Sequence, residues 1–431
     1  MTRGGQRPRF GKGFLRLFSA TALSGLGDGC RIAALAVFAT TLTQSPLLIA
    51  LVTVAARVPW IVVGPFAGAL ADAVAPWRTM WLCMAGRTAV VAVFAILVLT
   101  GNAGIWQLIA VSFVISSVDT LADNLAQAVV PQVSGSAGLE RANSRIIGAQ
   151  SITTDFLGTP FGPMLLTVAA ALPFGIDALL SAAAAVLIWT VRPDGRDGRA
   201  PKEGAGPDGR QSVSVRTLGS GAVDGMRRLW RSTSLRTVAV AICLVNFANL
   251  TVLGIAVLYT VSVLHVSAGA YGLLLLGIGV GGLAGLMLAP RCVAWLGRPK
   301  ALLLAISVCP AAFVIAGLTT NVAAAVGALS FVGLATSMAT VVTLSLRQEI
   351  IPESQFGRVN AAYRLIVNGI SPVGGLLGGV VAEFAGLRAP FFVSGAATAV
   401  AAVVALRLVT GRSPEPDDED CGPAQPASST R

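Results

Sequence analysis

Apolar residues fall in long runs separated by short polar breaks. Runs lie near 15–40, 46–72, 79–100, 105–130, 144–170 and 173–191, and again near 237–262, 270–290, 300–319, 322–346, 358–384 and 388–409. Each approaches or exceeds the roughly 20 residues that carry a helix across hydrocarbon. Backbone groups in lipid have to be satisfied within the segment, so the expected fold is an all-α integral membrane protein with 12 transmembrane helices. The runs divide six and six around one long polar segment. The expected organisation is therefore a flank at 1–14, a six-helix bundle at 15–191, a linker at 192–236, a second six-helix bundle at 237–410 and a solvated tail at 411–431.

Composition agrees with that pattern. Hydrophobic residues make up 55% of the chain and charged residues only 12%, against about 25% charged in soluble domains. This excludes a soluble enzyme, a disordered chain and a secreted disulfide scaffold. The net charge of +11 would suit nucleic acid if it formed a patch, but the basic residues sit between apolar runs on alternate sides. Arg3, Arg7, Arg9, Lys12 and Arg16 precede the first run, others fill the loops near 73–78, 131–143, 291–299 and 347–357, and the opposite loops hold only Arg388. The positive-inside bias places both termini and the linker in the cytoplasm. The six cysteines show no CxxC spacing and read as small buried hydrophobes rather than metal ligands. Arg over Lys and abundant Ala point to a GC-rich bacterial genome, hence to a bacterial inner (plasma) membrane.

The linker opens with RPDGRDGRAPKEGAGPDGR, a flexible composition. It continues with GAVDGMRRLWRSTSLR, where Val223, Met226 and Trp230 share a helical face flanked by Arg227, Arg228 and Arg231, as in a helix lying at the membrane interface. The halves also echo each other. Pro131 and Pro352, Arg141 and Arg358, Asn143 and Asn360, and Pro160 and Pro372 recur in the same order. Such repeats imply a pseudo-two-fold axis along the membrane normal.

These features together resemble the major facilitator superfamily, over residues 14 to 410. After the second run the family's loop motif is half present: Gly68, Leu70, Ala71 and Asp72 stand, and Arg78 is the surviving basic residue. The resemblance implies gating roles for Gly68, Asp72 and Arg78. In the fifth run Gly158, Gly162 and Pro163 match the G-x3-G-P core found in proton-antiporting exporters, which implies a bending or occluding element. Gly148 stands one residue off the usual spacing. The phrases LSGLGDG, LERAN, LGTPFG and GRVNA look most like the macrolide-efflux and enterobactin-exporter subgroup, which implies export.

Intramembrane charges carry the expected mechanism, because each costs about 2.5–3.5 kcal/mol at a helix centre. Asp28 and Arg31 lie about 18–22 Å into the first run, Arg57 at similar depth in the second, and Asp155 roughly 16 Å into the fifth, at the helical rise per residue. Burial favours a neutral acid and a neighbouring guanidinium favours a carboxylate, so an arginine that moves would switch protonation. Asp28 is the expected proton carrier, Asp155 the second, and Arg31 or Arg57 the switching partner. Asp119, Asp123 and Gln127 follow i, i+4, i+8 spacing on one face of the fourth run, a polar cavity wall or a pair with Arg87. The second half contributes Asn246, Asn249, Arg364 and Asn368 to the expected substrate cavity. Few polar groups on an apolar wall suit a hydrophobic or amphipathic cargo.

Other chemical signals dissolve. Gly277, Gly279 and Gly282 spell GxGxxG inside an apolar run with no strand before it. Lys12, Lys202 and Lys300 are not followed by Ser or Thr, which excludes a P-loop, and a single His265 excludes HExxH zinc chemistry. The expectation is a monomeric, proton-driven exporter of small molecules in a lipid bilayer, with no cofactor, metal, enzymatic activity or nucleic-acid partner. Kept beside it are a facilitator that imports or flips a lipid-like solute and, from DTLAD at Asp119–Asp123, a membrane prenyltransferase.

Overall fold

The computed structural model describes residues 11–64, 74, 76–134, 139–190, 225–351 and 353–410. Among them the regular structure is helical. The first half holds α1 (Lys12–Leu42), α2 (Pro46–Val62), α3 (Pro76–Leu99), α4 (Ile105–Ser134), α5 (Leu139–Gln150), α6 (Thr159–Val168) and α7 (Leu172–Thr190). The second holds α8 (Thr233–Leu253), α9 (Ala256–Ser262), α10 (Tyr271–Leu296), α11 (Arg298–Leu318), α12 (Val322–Ile350), α13 (Glu353–Gly369), α14 (Ser371–Ala385) and α15 (Ala389–Thr410).

Ten helices among the described residues are long and apolar enough to cross a membrane, where twelve were expected. The difference has a local cause in two runs. The second run is described only as far as residue 64 and turns at residues 56–58, before Pro59. The fifth is interrupted by a π-helical stretch, Ser151–Gly158, between α5 and α6, a widening of the ladder often found at functional positions.

Ends follow ordinary capping chemistry. Ser45 accepts from Leu48 N ahead of Pro46, Ser232 caps α8 and Asn321 caps α12 through the backbone N–H three residues on, each satisfying a donor that the helix leaves open. Gly297 at φ 75° and Gly386 at φ 84° end α10 and α14 in a conformation that side chains resist. The segment expected to lie at the interface forms a helix at 225–231 in which Leu229 is buried and Trp230 exposed; Val223 lies outside the described residues.

The first half closes around Phe38, Phe94 and Phe174, whose rings meet edge to face at centroid separations of 5.0–6.4 Å. Large apolar side chains also face outward, including Leu99, Trp106, Trp189, Trp295 and Phe384, as a bilayer solvent allows. Without a hydrophobic drive between helices in lipid, small residues set the close approaches. Gly25 and Gly29 of α1 meet Thr153, Thr154 and Gly158, and Gly162 lies on the Cys30 backbone. In the second half Gly277, Gly281 and Gly285 of α10 pack on α12 at Val326, Ser330 and Leu334, and Gly282 meets Ser337, so Gly277 and Gly282 of the GxGxxG run are helix contacts. Asn360, from the internal repeat, accepts from Arg347, whose guanidinium stacks 3.8 Å over the Tyr363 ring.

Candidate transport site

The centre of the first half is a charge cluster assembled from four helices. Asp28 and Arg31 stand three residues apart on α1, hence on one face. Arg87 comes from α3, Asp119 from α4 and Asp177 from α7. Arg31 Nη2 reaches Asp28 Oδ1 at 2.7 Å and Asp119 Oδ2 at 3.2 Å, and its Nε donates to Asp177 Oδ2 at 2.9 Å. Arg87 Nη2 lies 2.6 Å from both Asp28 Oδ1 and Asp177 Oδ1. Its Nη1 donates to Ser24 Oγ at 2.8 Å and to Asp28 Oδ2 at 3.2 Å, and lies 3.3 Å from Asp119 Oδ1. Ser181 donates to Asp177 Oδ1 at 3.1 Å.

The cluster is layered. The side chains of Arg31, Arg87 and Asp177 are 4%, 1% and 0% exposed, whereas Asp28 and Asp119 each keep 22%. Asp177 is therefore sealed in protein, the nearly buried guanidiniums edge a cavity, and the two other carboxylates look into it. Three carboxylates face two guanidiniums, so the ionised cluster holds one surplus negative charge. Buried charge of this kind persists only when paired and hydrogen-bonded.

That cavity has a volume of about 1190 Å³, within reach of a drug-sized molecule. It runs from Asp28 and Arg31 toward the helix ends that carry Leu17, Met80, Val130 and Ile188, the side where the linker helix adds Met226. The second half supplies Tyr271, Leu275, Leu365 and, as polar groups, Arg364 and Asn368. On the opposite side the halves touch. Gly375 and Gly379 of α14 lie against Val54, Ala50 and Leu47 of α2, and Glu383 accepts from Ser45 Oγ at 2.9 Å and Leu47 N at 3.3 Å. A carboxylate at a helix N-terminus is favourable, so this pair fastens that face. Glu383→Gln is expected to loosen it, read as faster labelling of a Leu47→Cys thiol by an impermeant maleimide; an unchanged labelling rate would count against the fastening role.

The structure distributes the expected residues as follows. Asp28 and Arg31 are brought together, and Arg87 joins them with Asp119. Arg57 is exposed and lines the cavity at the turn in α2. Asp155 falls in the π-helical stretch, and its side chain, like that of Gln127, lies outside the described residues. Asp119, Asp123, Arg364 and Asn368 line the cavity. Asn246 donates to Val367 O at 3.1 Å, tying α8 to α13; Asn249 is half-buried on α8, and neither is a lining residue of this cavity. Gly68 and Asp72 lie outside the described residues, and Arg78 is exposed in the first turn of α3. Gly158, Gly162 and Pro163 are buried in α6 or at its start.

Asp177 was missed by sequence reasoning. The signal was present, a lone acid in LPFGIDALLSAAAAVLIWT one turn before Ser181, but that run holds no basic residue to mark its partner. Among the described residues no group of three or more His, Cys, Asp or Glu is arranged to hold a metal.

Comparison with known proteins bears on the whole chain. A sequence profile described as Major Facilitator Superfamily matches residues 17–371 and 293–429. The fold is similar to the crystal structure of nucleoside transporter NupG (D323A mutant), at TM-score 0.72 and 13% identity over 92% of this chain and 99% of that one. It is also similar to a bacterial homologue of the iron transporter ferroportin in an inward-facing state, at 0.68 and 15% over 92% and 98%. A bacterial homologue of the human lysosomal transporter Spinster, inward-facing and occupied, aligns at 0.71 and 13% over 94% and 98%. A comparison with curated protein sequences gave no match. At these identities the solved structures speak for fold alone. The profile, spanning most of the chain, says more: this protein belongs to the major facilitator superfamily, and it is a multi-pass membrane transporter of small molecules rather than an enzyme.

Proposed function

We propose that the protein is a proton-coupled exporter of hydrophobic or amphipathic small molecules, of the drug, antibiotic or siderophore kind, working by alternating access between two six-helix bundles of twelve spans in all. Both termini and the linker lie in the cytoplasm of a bacterial cell, so the cavity is the inward-facing one and the Glu383 contact closes the outer side. The observation that carries the reading is the cluster of Asp28, Arg31, Arg87, Asp119 and Asp177 at the head of the cavity. Its surplus carboxylate gives a proton somewhere to bind, and the guanidiniums supply the field that a change of packing would alter. A mostly apolar wall from α10 and α13, Leu275, Ala361, Ala362 and Leu365 beside the polar Arg364 and Asn368, supports an amphipathic cargo. Each proton moved down a potential of 100 mV supplies about 2.3 kcal/mol, a useful driving force for export. Asp155 and Arg57 remain candidates for supporting the coupling.

Proteoliposomes loaded in turn with erythromycin, enterobactin or ethidium test this under an imposed pH gradient. Uphill movement that collapses when the gradient is dissipated is the expected result. Flux that only equilibrates the cargo, whatever the gradient, would favour a facilitator for a lipid-like solute.

A further inference from the structure

The three carboxylates of the cluster are not equivalent. Asp177 is fully buried, sits at 2.6 and 2.9 Å from two guanidinium nitrogens and accepts a third bond from Ser181. Asp28 uses both oxygens, at 2.6 and 2.7 Å through Oδ1 and at 3.2 Å through Oδ2. Asp119 is held most loosely. Its Oδ2 accepts one bond at 3.2 Å, and its Oδ1, 3.3 Å from Arg87 Nη1, has no hydrogen bond although it is shielded from solvent. Its side chain still borders the cavity, so a proton has a way in.

We infer that Asp119, rather than the expected Asp28, is the residue of this cluster that takes up and releases the proton. The inference deepens the proposed coupling and rests on it for its meaning in transport. A proton on Asp119 satisfies the surplus charge and leaves Asp28 and Asp177 matched one to one with Arg31 and Arg87. Protonating Asp28 or Asp177 instead would break the shortest ion pairs while leaving the weakly held carboxylate charged. On protonation the bond from Arg31 Nη2 to Asp119 loses its charge, so α4 is released from α1 while the α1–α3–α7 core stays locked. Releasing one wall of the cavity without dissolving its frame is what alternation between two packings requires.

The groups that face Asp119 come from several elements. Asp28 and Arg31 approach from α1, Arg87 and Cys83 from α3 and Asp177 from α7; Asp123 stands one turn along α4. Arg57 on α2 and Arg364 on α13 border the same cavity.

The test is the infrared carbonyl band of a protonated carboxylic acid, followed in the purified full-length protein through a pH titration. No cargo is needed. Besides the bands of solvent-exposed acids, the wild type is expected to show one titrating band from a shielded acid, which Asp119→Asn removes while thermal unfolding stays close to wild type. Asp119→Glu should change the frequency of that band, whereas Asp28→Glu and Asp123→Asn should keep its frequency and move only its midpoint, through the charges they share with Asp119. Should Asp119→Asn fail to fold, the frequency comparison decides alone. A band that persists in Asp119→Asn, or one that is lost in Asp123→Asn or changes frequency in Asp28→Glu, would overturn the assignment. Liposome flux separates the two readings: a wild type indifferent to the pH gradient removes the coupling, while a coupled wild type whose Asp119→Asn variant stays coupled removes only Asp119.

Discussion

Arg87→Leu is expected to destabilise the folded protein by about 3–5 kcal/mol, because it leaves carboxylates buried without their partner. Arg87 is 1% exposed and touches Ser24, Asp28, Asp119 and Asp177. Without it three carboxylates share the single guanidinium of Arg31, and Asp177, at 0% exposure, has no route to water. Removing both ends of a buried pair costs less than removing one, so Arg87→Leu with Asp177→Leu should recover a large part of the loss, a coupling that a double-mutant cycle isolates. Thermal unfolding in detergent measures all three variants. Additive losses in the double variant would show that the pair acts as two independent packing elements.

Gly162→Val is the second large effect. A Cβ there would fall onto the carbonyl oxygen, carbon and Cα of Cys30 on α1. Backbone cannot step aside as a flexible side chain can, so α6 would have to move away from the helix that carries Asp28 and Arg31. Overpacking of this kind costs about 1–3 kcal/mol or more, and transport should fail with it. Gly148, which a Cβ would leave without a neighbour within 4 Å, provides the contrast: Gly148→Ala should be silent in both stability and flux. Equal damage at the two positions would mean that close approach is not what the glycines provide. The contrast also bears on the motif, since Gly148 is the member that stood off the usual spacing.

Much of this architecture was legible in the chain itself. Long apolar runs have one stable solution in lipid, the helix, and the structure places helices on those runs. Pro46 after Ser45, Asn321 before an alanine-rich stretch and the glycines at 297 and 386 mark boundaries by local chemistry that needs no tertiary context. Asp28 and Arg31 could be singled out as a pair from their spacing and from the cost of burying them.

The partners of that pair could not be found in the same way. Arg87 and Asp119 had been weighed together, but Asp177 comes from the far side of the half, 146 residues from Arg31 along the chain. Hydropathy records that each charge is expensive without saying which other charge relieves it. Asn246 shows the converse: polar and well placed in its run, it is committed to the Val367 carbonyl.

Sequence alone determined that the protein lives in a bilayer, that its crossings are helical and that a few charges are sunk among them. Those facts follow from the length, polarity and spacing of nearby residues, which are local properties. Only the tertiary structure decided which of the charges meet, which are sealed and which face a cavity. The reason is physical: the energy of a buried charge depends on distances to groups on other helices, and packing at small residues such as Gly158 and Gly162 sets those distances.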